Sequence, residues 1–137
     1  MLGILTTKSS IVSDTILLAQ WIIFIILFLN WYVARKRDIK THKRIILTLF
    51  TVQTLFNIYM LSRIISIEIQ PILILHGTLG FLAYLLILYT VLFMTEHLPE
   101  SLKFFTKENR IWLMRTTSII WMLFTFSGTL VFYTIYL

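Results

Sequence analysis

Four apolar runs, each long enough to cross a lipid bilayer, constrain this sequence more than any other feature. A membrane-spanning helix needs about 20 mainly apolar residues, and the runs cover about residues 15–34, 45–65, 72–94 and 111–137. Hydrophobic residues make up 58% of the chain and charged residues 13%, whereas soluble domains carry about 25% charged residues. We therefore predict an all-α integral membrane protein, an antiparallel bundle of four transmembrane helices in one domain, residues 1–137, located as a multi-pass protein in the cell membrane.

Two other interpretations of the apolar runs fit the sequence less well. A transmembrane β-barrel requires alternating apolar and polar residues, and these runs are uninterrupted. A cleaved signal peptide requires a small-x-small cleavage site after the first run, but the basic segment RKRDIKTHKR follows it instead. We expect all four spans to be retained.

Basic residues are concentrated on one side of the predicted membrane. Ten of the 12 Lys and Arg residues lie in or beside the segments that join spans one and two and spans three and four. Because cytoplasmic loops carry an excess of Lys and Arg, we expect both segments in the cytoplasm and both termini on the outer side. The first group, which we expect to set topology and to meet anionic lipids, is Arg35, Lys36, Arg37, Lys40, Lys43 and Arg44. The second group is Lys103, Lys107, Arg110 and Arg115.

These basic segments have further implications. Since topology and anionic lipid account for the positive charge, we expect no nucleic-acid partner. In the second segment, TEHLPESLKFFTKENR, we expect a short amphipathic helix on the inner surface, with Leu98, Leu102 and Phe105 facing lipid.

Small residues recur at helical spacing in the third and fourth spans. Small side chains let helix backbones approach closely within a membrane, where lipid provides no hydrophobic drive for helices to associate. We therefore predict helix-packing positions at Gly77, Gly80, Ala83 and Gly128.

Polar residues at the outer side suggest a candidate site. Asn57 shares a helix face with Gln53, four residues earlier, and His76 begins the third span at a similar depth. Ionisable residues within membranes are functional candidates, so we predict an outer polar cluster of His76, Arg63, Glu68 and Asn57. The alternative is that His76 is an interfacial or hydrogen-bonded structural histidine, since it lies only about 6 Å below the predicted membrane edge.

Metal binding and catalysis have little support in the sequence. The chain has no cysteine, and we place His42 in the basic loop, which leaves His76 as the only histidine inside a span. His76 and His97 are about 30 Å apart along one helix, so they cannot share a metal. No hydrolase, metalloprotease or phosphate-loop motif occurs. We expect no catalytic residues, no metal site and no cofactor, with haem or copper bound only if another chain supplies ligands.

The order of the motifs resembles a known family. A histidine followed by basic residues begins the second span in THKRIILTLF, a histidine lies in the third span in LHGTLGFLAY, and a tryptophan, a small residue with glycine and a tyrosine follow in the fourth. The chain thus resembles the small four-helix membrane proteins of unknown function that are linked to terminal-oxidase assembly and haem A maturation. The residues that carry the resemblance are His42, Lys43, Arg44, His76, Trp121, Ser127, Gly128 and Tyr133.

This resemblance leaves several functions open. The family has a further histidine before the fourth helix, where this chain has Asn109 and Arg110; a structural relative would show this pattern. We favour a non-catalytic accessory subunit of a membrane metalloenzyme, either a haem–copper oxidase or a membrane copper monooxygenase such as ammonia monooxygenase, packed against other integral membrane subunits. The alternative that the resemblance implies is an assembly factor for haem or copper insertion into a terminal oxidase. A haem-b electron carrier fits less well, because the histidine count argues against it.

Overall fold

The computed structural model describes residues 10–63 and 71–136. These residues form four α-helices: α1 (Ile11–Arg35), α2 (Ile39–Arg63), α3 (Pro71–Met94) and α4 (Arg110–Tyr136). All four helices are long and apolar enough to cross a membrane. The predicted all-α bundle of four candidate transmembrane helices is confirmed, and the side on which the termini lie stays a prediction.

The first two helices begin earlier than the apolar runs that predicted them. Ser10 caps α1, with its hydroxyl oxygen accepting a hydrogen bond from the backbone N–H of Ser13 at 3.1 Å. Asp38 precedes α2, and its carboxylate accepts a hydrogen bond from the backbone N–H of Thr41 at 3.1 Å. The hydrogen bonds from Thr41 lower the pKa of the Asp38 carboxyl. Polar first turns of this kind lie outside a hydropathy window because caps, rather than apolar residues, begin a helix.

The connection between α1 and α2 is only residues 36–38. Arg37 takes the left-handed conformation there, with φ 61°, and such a residue commonly follows the last turn of a helix. A connection this short makes α1 and α2 antiparallel neighbours. Our placement of His42 in a basic loop is therefore wrong, because His42 lies in α2 together with Lys40, Lys43 and Arg44.

The four helices pack as a ring. Each helix contacts its neighbours in sequence, and α1 closes the ring against α4. A cluster of buried hydrophobic residues from all four helices forms the core of the bundle. Its members are Ile23, Leu27, Ile46, Leu49, Ile87, Val91, Trp121 and Met122.

The segment that joins α3 to α4 consists of turns and bends and is not the amphipathic helix that we expected. After α3 ends, Glu96 takes the left-handed conformation, with φ 59°, and His97 N–H donates to the Leu92 carbonyl at 3.0 Å. The only helical turn in residues 95–109 is a 3-10 turn at Glu100–Leu102. Leu98 is buried rather than directed to lipid, because the segment folds back over the bundle end.

Candidate functional site

His76 is held between α3 and α4. Its imidazole stacks on the ring of Phe124, with centroids 4.4 Å apart and planes 13° from parallel. Its Nδ1 lies 3.3 Å from the Ser127 hydroxyl oxygen, and a Cβ added to Gly128 would lie 3.9 Å from the ring. These contacts make His76 a hydrogen-bonded link between two helices, as the alternative interpretation of this residue expects.

The other members of the predicted outer cluster are described only in part. Asn57 lies on α2, where its side-chain oxygen accepts a hydrogen bond from Gln53 at 3.0 Å. Glu68 and the side chain of Arg63 lie outside the described residues. The partners found for His76 are on α4, and the partner found for Asn57 is on α2. The cluster as a unit stays a prediction.

The predicted small-residue positions face different surroundings. Gly80 lies under Phe124, because a Cβ added there would have three atoms of that ring within 3.0 Å. Ala83, one turn later on α3, is buried. A Cβ added to Gly77, by contrast, would meet no described atom within 4 Å, and Gly77 is exposed. Gly77 therefore opens onto the outside of the bundle.

A wide cavity lies at the end of the bundle that carries residues 36–38 and 95–109. We call this end the basic end and the cavity the vestibule. The vestibule has a volume of about 1210 Å³ and is lined by residues of all four helices and of the segment between α3 and α4. Seven of the ten basic residues at this end line it: Arg35, Arg37, Lys43, Lys103, Lys107, Arg110 and Arg115.

Two acidic side chains also line the vestibule, Glu96 and Glu100. Glu100 forms an ion pair with Lys103, so these two charges neutralise each other in the net charge of the vestibule. The remaining basic side chains outnumber the remaining carboxylate six to one. The vestibule is therefore strongly positive and suited to an anion.

Asn30 and His42 contribute buried polar atoms to the vestibule wall. Asn30 is 2% exposed and His42 is 8% exposed. The imidazole of His42 faces the backbone carbonyl of Asn30, while Oδ1 of Asn30 and Nδ1 of His42 have no hydrogen-bond partner among the described residues. Because buried polar groups in proteins are nearly always hydrogen-bonded to protein, water or ligand, these two atoms mark a place where a bound group can be held.

A narrower cavity of about 20 Å³ adjoins the vestibule. Four residues line both cavities: His42, Met94, Met114 and Ser118. The narrow cavity runs from them to Trp121, past a buried hydrogen bond of 2.8 Å between the hydroxyls of Thr90 and Thr117. Its volume is comparable with that of one water molecule, which needs about 10–15 Å³.

Sequence reasoning missed Asn30 and the burial of His42, although one signal for His42 was present. His42, Ile46, Leu49 and Gln53 are buried and recur every three or four residues, which is the spacing of one helix face. We assigned His42 to a loop because Lys40, Lys43 and Arg44 surround it in the sequence, and so did not include it in this buried helix face. Asn30 also carried a signal, because it is an amide inside the predicted span 15–34, and polar groups within a membrane need hydrogen-bond partners and so face inward.

No protein-family model, curated protein or solved structure matches this chain. The resemblance to the oxidase-assembly family therefore stays a prediction.

Proposed function

We propose that this chain is a non-catalytic accessory subunit of a multi-subunit membrane metalloenzyme, which it stabilises by helix packing. The observation that carries this proposal is the open position of Gly77 on α3. The sequence resemblance points to a haem–copper oxidase as the enzyme, and a membrane copper monooxygenase is the other candidate. The small extramembrane mass of the chain supports a subunit role.

Gly77 forms a notch in an otherwise bulky surface. Ile74 and Phe81, about one turn to either side of it, are exposed large hydrophobic residues. A glycine within a helix lowers the free energy of unfolding by about 1 kcal/mol relative to alanine in soluble hosts. Gly77 does not offset this cost by close packing within the bundle, because no described atom lies within 4 Å of a Cβ added there. Small residues on transmembrane helices serve close contact with another helix. A helix of a partner subunit fits this notch.

Purification of the full chain from its native membranes in mild detergent tests the proposal. We expect mass spectrometry to find the chain at fixed stoichiometry with the subunits of one metalloenzyme. Gly77→Leu should fill the notch and lower the recovery of that enzyme by about tenfold or more, which corresponds to about 1.4 kcal/mol of lost interaction.

Gly77→Ala is the matched control, since a methyl group adds little bulk to the notch. Neither variant should lower the thermal stability of the isolated chain, because no described atom lies within 4 Å of the added Cβ and both alanine and leucine favour a helix over glycine. Recovery of the chain alone from native membranes, or unchanged recovery of the enzyme with Gly77→Leu, would contradict the proposal.

The second candidate is an assembly factor for haem or copper insertion, which the lining of the vestibule favours. His42, Met94 and Met114 line it together, and imidazole and thioether groups are ligands for copper and for haem iron. An assembly factor would be substoichiometric in the mature enzyme or missing from it. Its deletion would leave an enzyme that lacks the absorption bands of its haem or copper centre.

A further inference from the structure

The basic residues at the basic end fall into two groups that the sequence alone does not separate. Seven line the vestibule, while Lys36, Lys40 and Arg44 lie at the same end and do not line it. Topology requires only that positive charge lie on one side of the membrane. The concentration of charge around one cavity therefore needs a second explanation.

The vestibule combines this charge with apolar walls. Leu27, Trp31, Phe93, Phe105 and Ile111 line it beside the basic side chains. It lies where α1, α3 and α4 reach one end of their candidate spans. A ligand that is anionic at one end and apolar at the other matches this lining, and the phospholipids of the surrounding bilayer have that chemistry.

The unpartnered side-chain oxygen of Asn30 requires that the ligand also carry a hydrogen-bond donor. Oδ1 of Asn30 accepts hydrogen bonds and has no donor among the described residues. A lipid headgroup that carries hydroxyl groups beyond its phosphate supplies such a donor. Phosphatidylglycerol has this chemistry, whereas phosphatidic acid has only the phosphate.

We propose that the vestibule is a specific site for one anionic phospholipid with a hydroxyl-bearing headgroup. The phosphate lies among the basic side chains that line the vestibule, the headgroup hydroxyls reach Asn30, and the acyl chains leave along the apolar wall. This site is independent of the proposed subunit function, because its lining is at the basic end and Gly77 is near the opposite end of α3.

Two triple variants of equal charge test the site in the full chain. Lys43→Gln, Lys107→Gln and Arg110→Gln remove three charges that line the vestibule. Lys36→Gln, Lys40→Gln and Arg44→Gln remove three charges at the same end but outside it. All six side chains are exposed, so neither triple variant removes buried packing.

Native mass spectrometry of the delipidated chain, titrated with phosphatidylglycerol in phosphatidylcholine nanodiscs, gives the number of bound lipids and their affinity. We expect one tightly bound phosphatidylglycerol per chain. The vestibule triple variant should weaken its affinity by about tenfold or more and the control triple variant by about twofold at most, since each basic residue near a lipid phosphate contributes substantially to binding. Equal losses in both variants would show diffuse attraction and would overturn the proposal, as would no loss in either.

Two further arms identify the ligand. Asn30→Leu should weaken binding of phosphatidylglycerol and leave that of phosphatidic acid unchanged, because only the former has a headgroup hydroxyl for Asn30. Equal effects on both lipids would overturn the headgroup assignment. Soluble glycerol 3-phosphate should not displace the lipid at the same concentration, and displacement would overturn the assignment to a phospholipid.

Discussion

At the scale of single residues, the contact between His76 and Phe124 explains most of what is unusual in the third span. The imidazole stacks on the phenyl ring, and the ring in turn covers Gly80. Phe124 therefore contacts two positions, His76 and Gly80, that lie one turn apart on the same face of α3. The histidine of this apolar helix thus joins an aromatic contact to a polar one, because its Nδ1 lies 3.3 Å from the Ser127 hydroxyl oxygen.

The first prediction concerns Gly80. Gly80→Ala should destabilise the chain by about 1–3 kcal/mol, the usual cost of overpacking a tight contact, because the new methyl group overlaps the Phe124 ring. Unfolding of the detergent-solubilised chain, followed by tryptophan fluorescence, measures this change.

Gly77→Ala is the matched control on the same helix and should leave stability unchanged or raise it by up to about 1 kcal/mol, because alanine favours a helix over glycine and no described atom lies within 4 Å of its added Cβ. The double variant Gly80→Ala, Phe124→Leu should recover part of the loss, since it removes the ring that the methyl group meets. If Gly80→Ala proved as mild as Gly77→Ala, the close approach of α3 and α4 described here would be wrong.

At the scale of helices, hydrogen bonds between side chains link α3 to both of its neighbours. The Thr90 hydroxyl lies 2.8 Å from the Thr117 hydroxyl on α4, and the Thr54 hydroxyl lies 3.0 Å from the Tyr84 hydroxyl between α2 and α3. Thr90 also donates to the Leu86 carbonyl, so Thr117 is the donor in its bond with Thr90. These bonds fix the rotation of α3 about its own axis, because apolar packing alone would allow several rotations of the helix.

The second prediction is the strength of the Thr90–Thr117 bond. A double-mutant cycle with Thr90→Val and Thr117→Val should give a coupling energy of about 0.6 kcal/mol and at most about 1.7 kcal/mol, the range for such bonds inside membranes. Valine keeps the shape of threonine and removes the hydroxyl. A coupling energy of zero would mean that the Thr90 and Thr117 hydroxyls are not hydrogen-bonded to each other. Thr48, which is exposed and donates to the backbone of its own helix, offers a control pair with Thr117 for which we expect no coupling.

At the scale of the whole molecule, both connecting segments described here lie at one end of the bundle. Arg37 of the first segment and Glu96, Lys103 and Lys107 of the second line the same vestibule. In an antiparallel four-helix bundle the first and third connections lie at the same end. Because cytoplasmic loops carry an excess of Lys and Arg, the positive charge at this end predicts that it is the cytoplasmic end.

The third prediction follows from this arrangement. The chain has no cysteine, so a single introduced cysteine reports its own position. Lys40→Cys and Lys107→Cys should react with a membrane-impermeant maleimide only from the cytoplasmic side. Ser62→Cys, about 33 Å further along α2, should react only from outside. Reaction of Lys40→Cys and Lys107→Cys from opposite sides would rule out the four-span arrangement, and reaction of both from outside would invert the orientation.

The fold was predictable from the sequence to a much greater degree than the site. Each apolar run predicted a helix that the structure contains, and Pro71 begins α3 at a first-turn position that tolerates a missing N–H. The vestibule was not predictable. It depends on how residues 95–109 fold over the bundle end and on the inward orientation of Asn30, neither of which leaves a periodic signal in the sequence.

The physical reason for this division is the range over which each property acts. The tendency of a segment to enter a bilayer is a local sum over about 20 residues, so the sequence by itself determined the four helices and the end at which positive charge collects. The rotation of each helix about its axis depends on contacts with the other helices, and helices that are apolar on all sides carry little information about it. Only the tertiary structure therefore decided that Gly80 is covered while Gly77 is open, and that His42 and Asn30 meet beside a basic cavity.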